Sequence, residues 1–260
     1  MKVTFIGCGN LVQAIIKGLA QSSRPMNEFY FYSPSQLKAK ELASRYGGNH
    51  LDDLQGHQSE IVVLAFKPQQ LQAGMNNAHR VTSNESLVVS LLAAVDLATL
   101  KKHISAQAYL RLMTNTSCAY QKGVSTYLST EQNEKTQYWL DLMKKVSSLY
   151  QMQNEQQIDY LTGLNGSGPA FLYYFLQQWI NELNTHPLLE NISLEQKQSL
   201  VLETLASAYA SLQAHAEPTQ LISQVASSKG VTLAGLEKLS QQLDLNAVMQ
   251  ACYQRIQDLK

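Results

Sequence analysis

Between residues 2 and 152, short β-rich runs alternate with stretches of helical period, and beyond about residue 153 those runs stop. Strand candidates fall at 2–6 (KVTFI), 29–32 (FYFY), 61–65 (IVVLA), 86–91 (SLVVSL) and 108–112 (AYLRL), with helical periods at 10–21, 35–46 and 96–103. Strands apolar on both faces need cover on both sides, which a parallel sheet flanked by helices provides. Two further strands fit 124–128 and 148–152, around a helix at 131–145. From 153 onward only helices fit. Pro169 opens one that runs to about Leu183, and Ser193 with Gln196 forms a capping box before another. Thr232 is placed to cap a helix over 233–242, and 245–259 makes the last. The fold class expected is α/β, with an N-terminal domain at 1–153 joined directly to an all-helical domain at 154–260.

Composition narrows the function. Lys and Arg number 20 against 20 Asp and Glu, so the formal net charge is zero. That balance lacks the basic field on which general nucleic-acid or anionic-membrane binding depends. Cys8, Cys118 and Cys252 are odd in number, far apart and without a CxxC, and the six His are scattered. Neither a disulfide framework nor a metal site fits that pattern, and a reducing compartment does. Asn10, Gln13 and Lys17 interrupt the apolar start of the chain, and no run reaches the roughly 18 to 20 residues of a membrane span. The expectation is a cytoplasmic protein.

The first β–α turn is Gly7-Cys8-Gly9-Asn10-Leu11-Val12. Gly7 permits a tight turn, Gly9 has no side chain to block a pyrophosphate, and the helix start offers free N–H groups to that anion. This is the turn of a Rossmann-type dinucleotide-binding domain, except that Val12 stands where the fingerprint has a small residue, a change expected to widen helix–strand spacing. The second strand ends at Tyr32-Ser33-Pro34-Ser35, with Lys38 a turn later and no acid before Glu41. An NAD-selective site usually has Asp or Glu there. Hydroxyls and a cation favour a 2′-phosphate, hence NADPH, with NADH the secondary candidate. The alternative is that Ser35 caps the following helix.

Two glycine-containing turns mark the helical half. Gly163 to Pro169 (GLNGSGP) allows close backbone approach to a ligand or to another helix, and composition favours the helix. Ser227 to Thr232 (SSKGVT) precedes a helix and offers hydroxyls and amides suited to a small carboxylate, although such loops more often only cap. The helix at 170–183 is apolar nearly all round and must be enclosed, by a second chain or by a compact monomeric bundle.

The whole chain resembles the pyrroline-5-carboxylate reductase family. The resemblance rests on IGCGNLVQAIIKGL (6–19), LAFKPQ (64–69), VVSLLAAV (88–95), RLMTNTSCAYQKGV (111–124), TGLNGSGPAF (162–171), SSKGVTLAGL (227–236) and AVMQACYQRIQDL (247–259), seven blocks in the family's order. It implies that Gly7, Gly9, Asn10 and Leu11 cradle the pyrophosphate and that Ser33 and Ser35 meet the 2′-phosphate. Ala65, Phe66, Lys67 and Pro68, with Leu92 and Ala93, would flank the nicotinamide half. Thr232 matches a hydroxyl bonded to the substrate's ring nitrogen, and the amides of Val231 and Thr232 match those holding its carboxylate. Ser227 and Gly230 belong to the same substrate loop, and Glu155 matches an acid near the substrate in some relatives. The family's helical domains interlock as homodimers.

Seven positions depart from the family pattern, three of them in the substrate loop. Val12 and Ala94 replace glycines, Thr114 and Ser117 replace prolines, and Ser228 and Lys229 replace a Pro and a Gly in the substrate loop. Val231 removes a hydroxyl there, and Lys229 either strengthens carboxylate capture or distorts the loop. The resemblance implies hydride transfer from NADPH to the C=N carbon of a cyclic imino acid, giving proline. No catalytic Lys or His motif of the hydroxyacid dehydrogenase kind is present, which agrees with imine rather than ketone reduction. The competing expectations are a related NADPH-dependent reductase of another cyclic imine or keto acid, and a non-catalytic nucleotide-binding relative.

Overall fold

The computed structural model describes residues 1–22, 25–214, 217–227 and 230–260. They divide into two compact units, Met1–Ser167 with Met249–Lys260, and Gly168–Val248. The first unit holds one eight-stranded sheet: β1 (Val3–Ile6), β2 (Phe29–Tyr32), β3 (Asn49–His50), β4 (Ser59–Leu64), β5 (Thr82–Ser90), β6 (Ala108–Met113), β7 (Gly123–Ser129) and β8 (Ser147–Gln151). Its strand order is β3-β2-β1-β4-β5-β6-β7-β8. The order reverses between β1 and β4, so a crevice opens beside their C-terminal ends, where open α/β sheets bind ligands.

Side-chain alternation assigns the faces. Phe5, Ile61, Val63, Leu87 and Val89 point into one core beneath α1 (Asn10–Ala20), α2 (Leu37–Tyr46) and α5 (Glu134–Lys144). Ile6, Val62, Leu64 and Val88 point into a second core beneath α3 (Leu71–Val81) and α4 (Leu97–His103). The period of two lets one β-branched run feed both cores. The cover on both sides is as expected. The sheet is not wholly parallel, however, because β6 and β7 run antiparallel. Only a 3₁₀ turn, Thr116–Tyr120, lies between them, too little chain for the crossover that parallel strands require.

Three of the family departures acquire a physical meaning here. Val12 is fully buried in the first core. Further along α1, Gly18 packs tightly, and an added Cβ there would overlap the backbone carbonyl of Cys118. Ser117 donates its N–H to Asn115 Oδ1 at 3.1 Å, a bond a proline could not make. Thr114 accepts from Ser125 through its hydroxyl at 2.8 Å. Side-chain hydrogen bonds thus hold this loop where the family pattern has ring constraints. Helix α6 (Glu155–Asn165) packs on β6 and β7, and Asn165 donates to Met113 O and to Thr126 Oγ1, both at 3.0 Å.

The second unit is helical: α7 (Gly168–Thr185), α8 (Leu194–Ala214), α9 (Pro218–Val225) and α10 (Val231–Gln242), with α11 (Leu245–Asp258) leading back into the first unit. The capping box forms as expected, Gln196 N to Ser193 Oγ and Ser193 N to Gln196 Oε1, both at 3.2 Å. Helix α7 has no buried residue, and Leu172, Tyr173 and Tyr174 are 57%, 61% and 69% exposed. No helix among the described residues is long and apolar enough to cross a membrane.

Candidate functional site

Strand β1 is followed by Gly7, whose φ of +102° only glycine adopts readily. A Cβ there would stand 2.6 Å from the Ala65 carbonyl oxygen, so the turn threads between the ends of β1 and β4. Gly9 is the N-cap of α1, with extended backbone at φ −72° and ψ −177°, and nothing lies within 4 Å of where its Cβ would be. The first helical bond runs from Gln13 N to Gly9 O, leaving the amides of Asn10, Leu11 and Val12 ahead of the ladder. No acid occupies the first turn. Open space, forward amides and the positive end of the helix dipole together fit a pyrophosphate.

These residues border a cleft of about 350 Å³ that also takes in Ser33, Ser35, Lys38, Ala65, Phe66 and Lys67. Ser33 and Ser35 set their hydroxyls 3.5 Å apart. Ser35 does not cap α2: the N-cap is Gln36, at φ +54°, whose side chain turns away to donate to Asp52 O at 2.8 Å. Both serines line the cleft together with Lys38, and no carboxylate is among its lining residues. Cys8 is inert in this setting. Burial pushes its thiol up to about 12, against a smaller opposing pull from Lys38.

The opposite wall comes from Gln70, Ala73, Gly74 and Asn77, which the sequence reading missed. Their offsets of three, four and seven place them on one helical face, and Leu71, Met75 and Ala78 supply the matching apolar stripe. Gly74 lies directly against the Phe66 ring, leaving no room for a side chain. Pro68 begins the 3₁₀ turn that leads into α3.

Leu92 and Ala93 follow β5, the strand next to β4, and Leu91 N donates to Leu64 O at 2.9 Å. The Leu92 side chain is buried in the second core, so the loop presents backbone, with Leu92 N 3.3 Å from Ser90 Oγ. Ala94, where the family has glycine, takes φ +61°.

The substrate-side residues fall in two places. Glu155, at the start of α6, accepts from Arg111 Nη1 at 3.2 Å and from Leu97 N at 3.0 Å through the same oxygen. Ser227, Gly230, Val231 and Thr232 gather at the start of α10 in the second unit. Thr232 does not cap that helix. The N-cap is Gly230, extended at φ −81° and ψ 163°, and α10 begins at Val231. Thr232 therefore lies within the first turn, beside the forward amides of Val231 and Leu233, and Val231 is 93% exposed. Gly230 N bonds back to Ser227 O at 3.0 Å, closing the turn. Ser228 and Lys229 lie outside the described residues.

Residues 155–259 match the family model of pyrroline-5-carboxylate reductase dimerisation, and residues 2–94 match that of NADP oxidoreductase, coenzyme F420-dependent. The chain is 29% identical to the pyrroline-5-carboxylate reductase of Pasteurella multocida, over 99% of this chain and 97% of that one. Among solved structures it shares its fold with a Plasmodium falciparum pyrroline carboxylate reductase with NADP bound, at a TM-score of 0.86, 22% identity and coverage of 100% and 98%. The Streptococcus pyogenes 1-pyrroline-5-carboxylate reductase gives 0.84 and 24% at the same coverage.

Proposed function

We propose that this chain, a member of the pyrroline-5-carboxylate reductase family, reduces 1-pyrroline-5-carboxylate to L-proline at the expense of NADPH, the closing step of proline synthesis. The observation that carries the cofactor assignment is the Gly7–Gly9 turn, open at Gly9 and leading to two serine hydroxyls and Lys38 with no acid among them. Gly7, Gly9, Asn10 and Leu11 would hold the pyrophosphate. Ser33, Ser35 and Lys38 would hold the 2′-phosphate by charge-assisted hydrogen bonds. Ala65, Phe66, Lys67, Pro68, Leu92 and Ala93 would border the nicotinamide half. Bound there, NADPH supplies the hydride that reduces the substrate's C=N carbon.

A protonated cyclic imine is already electrophilic, so the chain's own task is placement. The forward amides of Val231 and Thr232 suit the substrate carboxylate for the reason that helix starts suit any small anion. The Thr232 hydroxyl, on the same first turn, would bond the ring nitrogen and hold it as its charge changes, with Ser227 and Gly230 shaping the loop. The exposed apolar face of α7 and the dimerisation-model match support a homodimer of this chain, and three cysteines without a disulfide among them support a cytoplasmic setting.

Oxidation of NADPH on addition of pyrroline-5-carboxylate is the direct assay. Thr232→Ala is expected to lower turnover about 10- to 1000-fold, the range for one lost polar contact to a changing charge. Unchanged kinetics in that variant would remove Thr232 from the site.

A further inference from the structure

Behind the loop that follows β5, the first unit carries a buried ion cluster that this chemistry leaves unused. Arg111 is 0% exposed on β6, and its Nη2 donates to Asp159 Oδ1 at 2.6 Å while its Nη1 donates to Glu155 Oε1 at 3.2 Å. Lys260 Nζ meets the other Asp159 oxygen at 2.5 Å. The Glu155 oxygen that holds Arg111 also accepts the N–H of Leu97, the first residue of α4. Asp96 already caps that helix locally, accepting from Thr99 N at 2.7 Å. The start of α4 is therefore fixed twice, once by its own cap and once by a carboxylate from 58 residues further along the chain. A buried arginine that commits both arms to carboxylates makes a rigid anchor, and such pairs give definition of geometry more readily than net stability.

What this anchor holds is residues 91–96, which leave the sheet beside Ala65 and Phe66, since Leu64 and Ser90 are register partners. With the 2′-phosphate at Ser33 after β2 and the pyrophosphate at Gly9 after β1, the cofactor would run along the strand order β2-β1-β4-β5, and its nicotinamide end would lie past β4, toward this loop. We propose that Glu155 is a positioning residue: held by Arg111, it anchors α4 and sets residues 91–96 against the nicotinamide end of the cofactor, acting from behind the loop and not on the substrate. The proposal rests on the NADPH reading above.

The test compares wild type, Glu155→Ala and Glu155→Gln by affinity for NADPH, affinity for 2′,5′-ADP, which lacks the nicotinamide half, and steady-state kinetics. Glu155→Ala is expected to bind 2′,5′-ADP within twofold of wild type while kcat falls at least tenfold and the imino acid KM moves little. Glu155→Gln keeps an oxygen for Leu97 N–H and is expected to lose about threefold, which decides the matter if the alanine variant does not fold. Parallel loss of 2′,5′-ADP and NADPH affinity would make the role merely structural. An unchanged kcat with a raised imino acid KM would place Glu155 on the substrate. Either result overturns the proposal. If wild type turns over no imine, the functional reading fails alone, and the ratio of NADPH to 2′,5′-ADP affinity across the variants still tests the positioning role.

Discussion

Gly7 and Gly9 stand two residues apart, and the structure gives them opposite sensitivities. At Gly9 the backbone is extended, it already serves as the N-cap of α1, and no atom lies within 4 Å of an added Cβ. Aspartate fits there without strain and can accept from the forward amides of α1, an N-cap improvement of a few tenths of a kcal/mol over glycine. For a chain of this size that raises Tm by about 1 °C. The same carboxylate occupies the ground where the pyrophosphate belongs. Two like charges about 4 Å apart near a protein surface repel by about 4 kcal/mol, so NADPH affinity should fall roughly a thousandfold. Gly7→Ala reverses the pattern. A φ of +102° and a Cβ 2.6 Å from the Ala65 carbonyl oxygen should cost about 3 kcal/mol, or roughly 6 to 12 °C in Tm. Thermal unfolding and NADPH titration of the two variants give four numbers. The reasoning is refuted if Gly9→Asp retains NADPH affinity within tenfold of wild type, or if it loses more than about 1 kcal/mol of stability.

Removing the cation beside the two serines, Lys38→Ala, should lower the preference for NADPH over NADH about tenfold, with NADH kinetics unmoved; equal losses for both cofactors would place Lys38 away from the 2′-phosphate. Burial, reinforced by Lys2, lowers the His57 pKa below the ordinary imidazole value, so the folded chain prefers the neutral ring. As pH falls below about 6.5 the unfolded chain takes up the proton first, and stability present above that pH declines toward the lowered folded value. His57→Gln, which can keep a hydrogen bond to Thr4, should flatten that decline in a Tm-against-pH series, and parallel curves would exclude the ring as its source. Aspartates at both Leu172 and Tyr174, on opposite sides of α7, should convert the associated species to single chains in sedimentation velocity; an unchanged sedimentation coefficient would exclude α7 from the contact.

The parts of the fold that the residues announce are those whose pattern is local. IVVL at 61–64 alternates into two cores, and Ser193 with Gln196 closes its box as the spacing requires. The reversal at β7 is different, because strand direction depends on how much chain separates two strands rather than on their composition. Helix α3 is hard to read in the sequence because its polar face, Gln70 to Asn77, has small and amide side chains in place of charges. At the cofactor turn the glycines declare themselves. The site role of α3 does not, since it depends on Phe66 folding over Gly74. Thr232 reads as a cap because hydroxyls usually cap, yet Gly230 takes that position through its extended backbone.

The burial of Val12 and the tightness at Gly18 have a consequence for how this helix tolerates change. In the usual fingerprint the small residue sits next to the phosphate, so packing and ligand binding compete for the same turn. Here the pinch point has moved six residues down the helix, onto the Cys118 backbone. The ligand end of α1 is seated by an ordinary branched hydrocarbon, while Gly18, near the far end, admits no side chain.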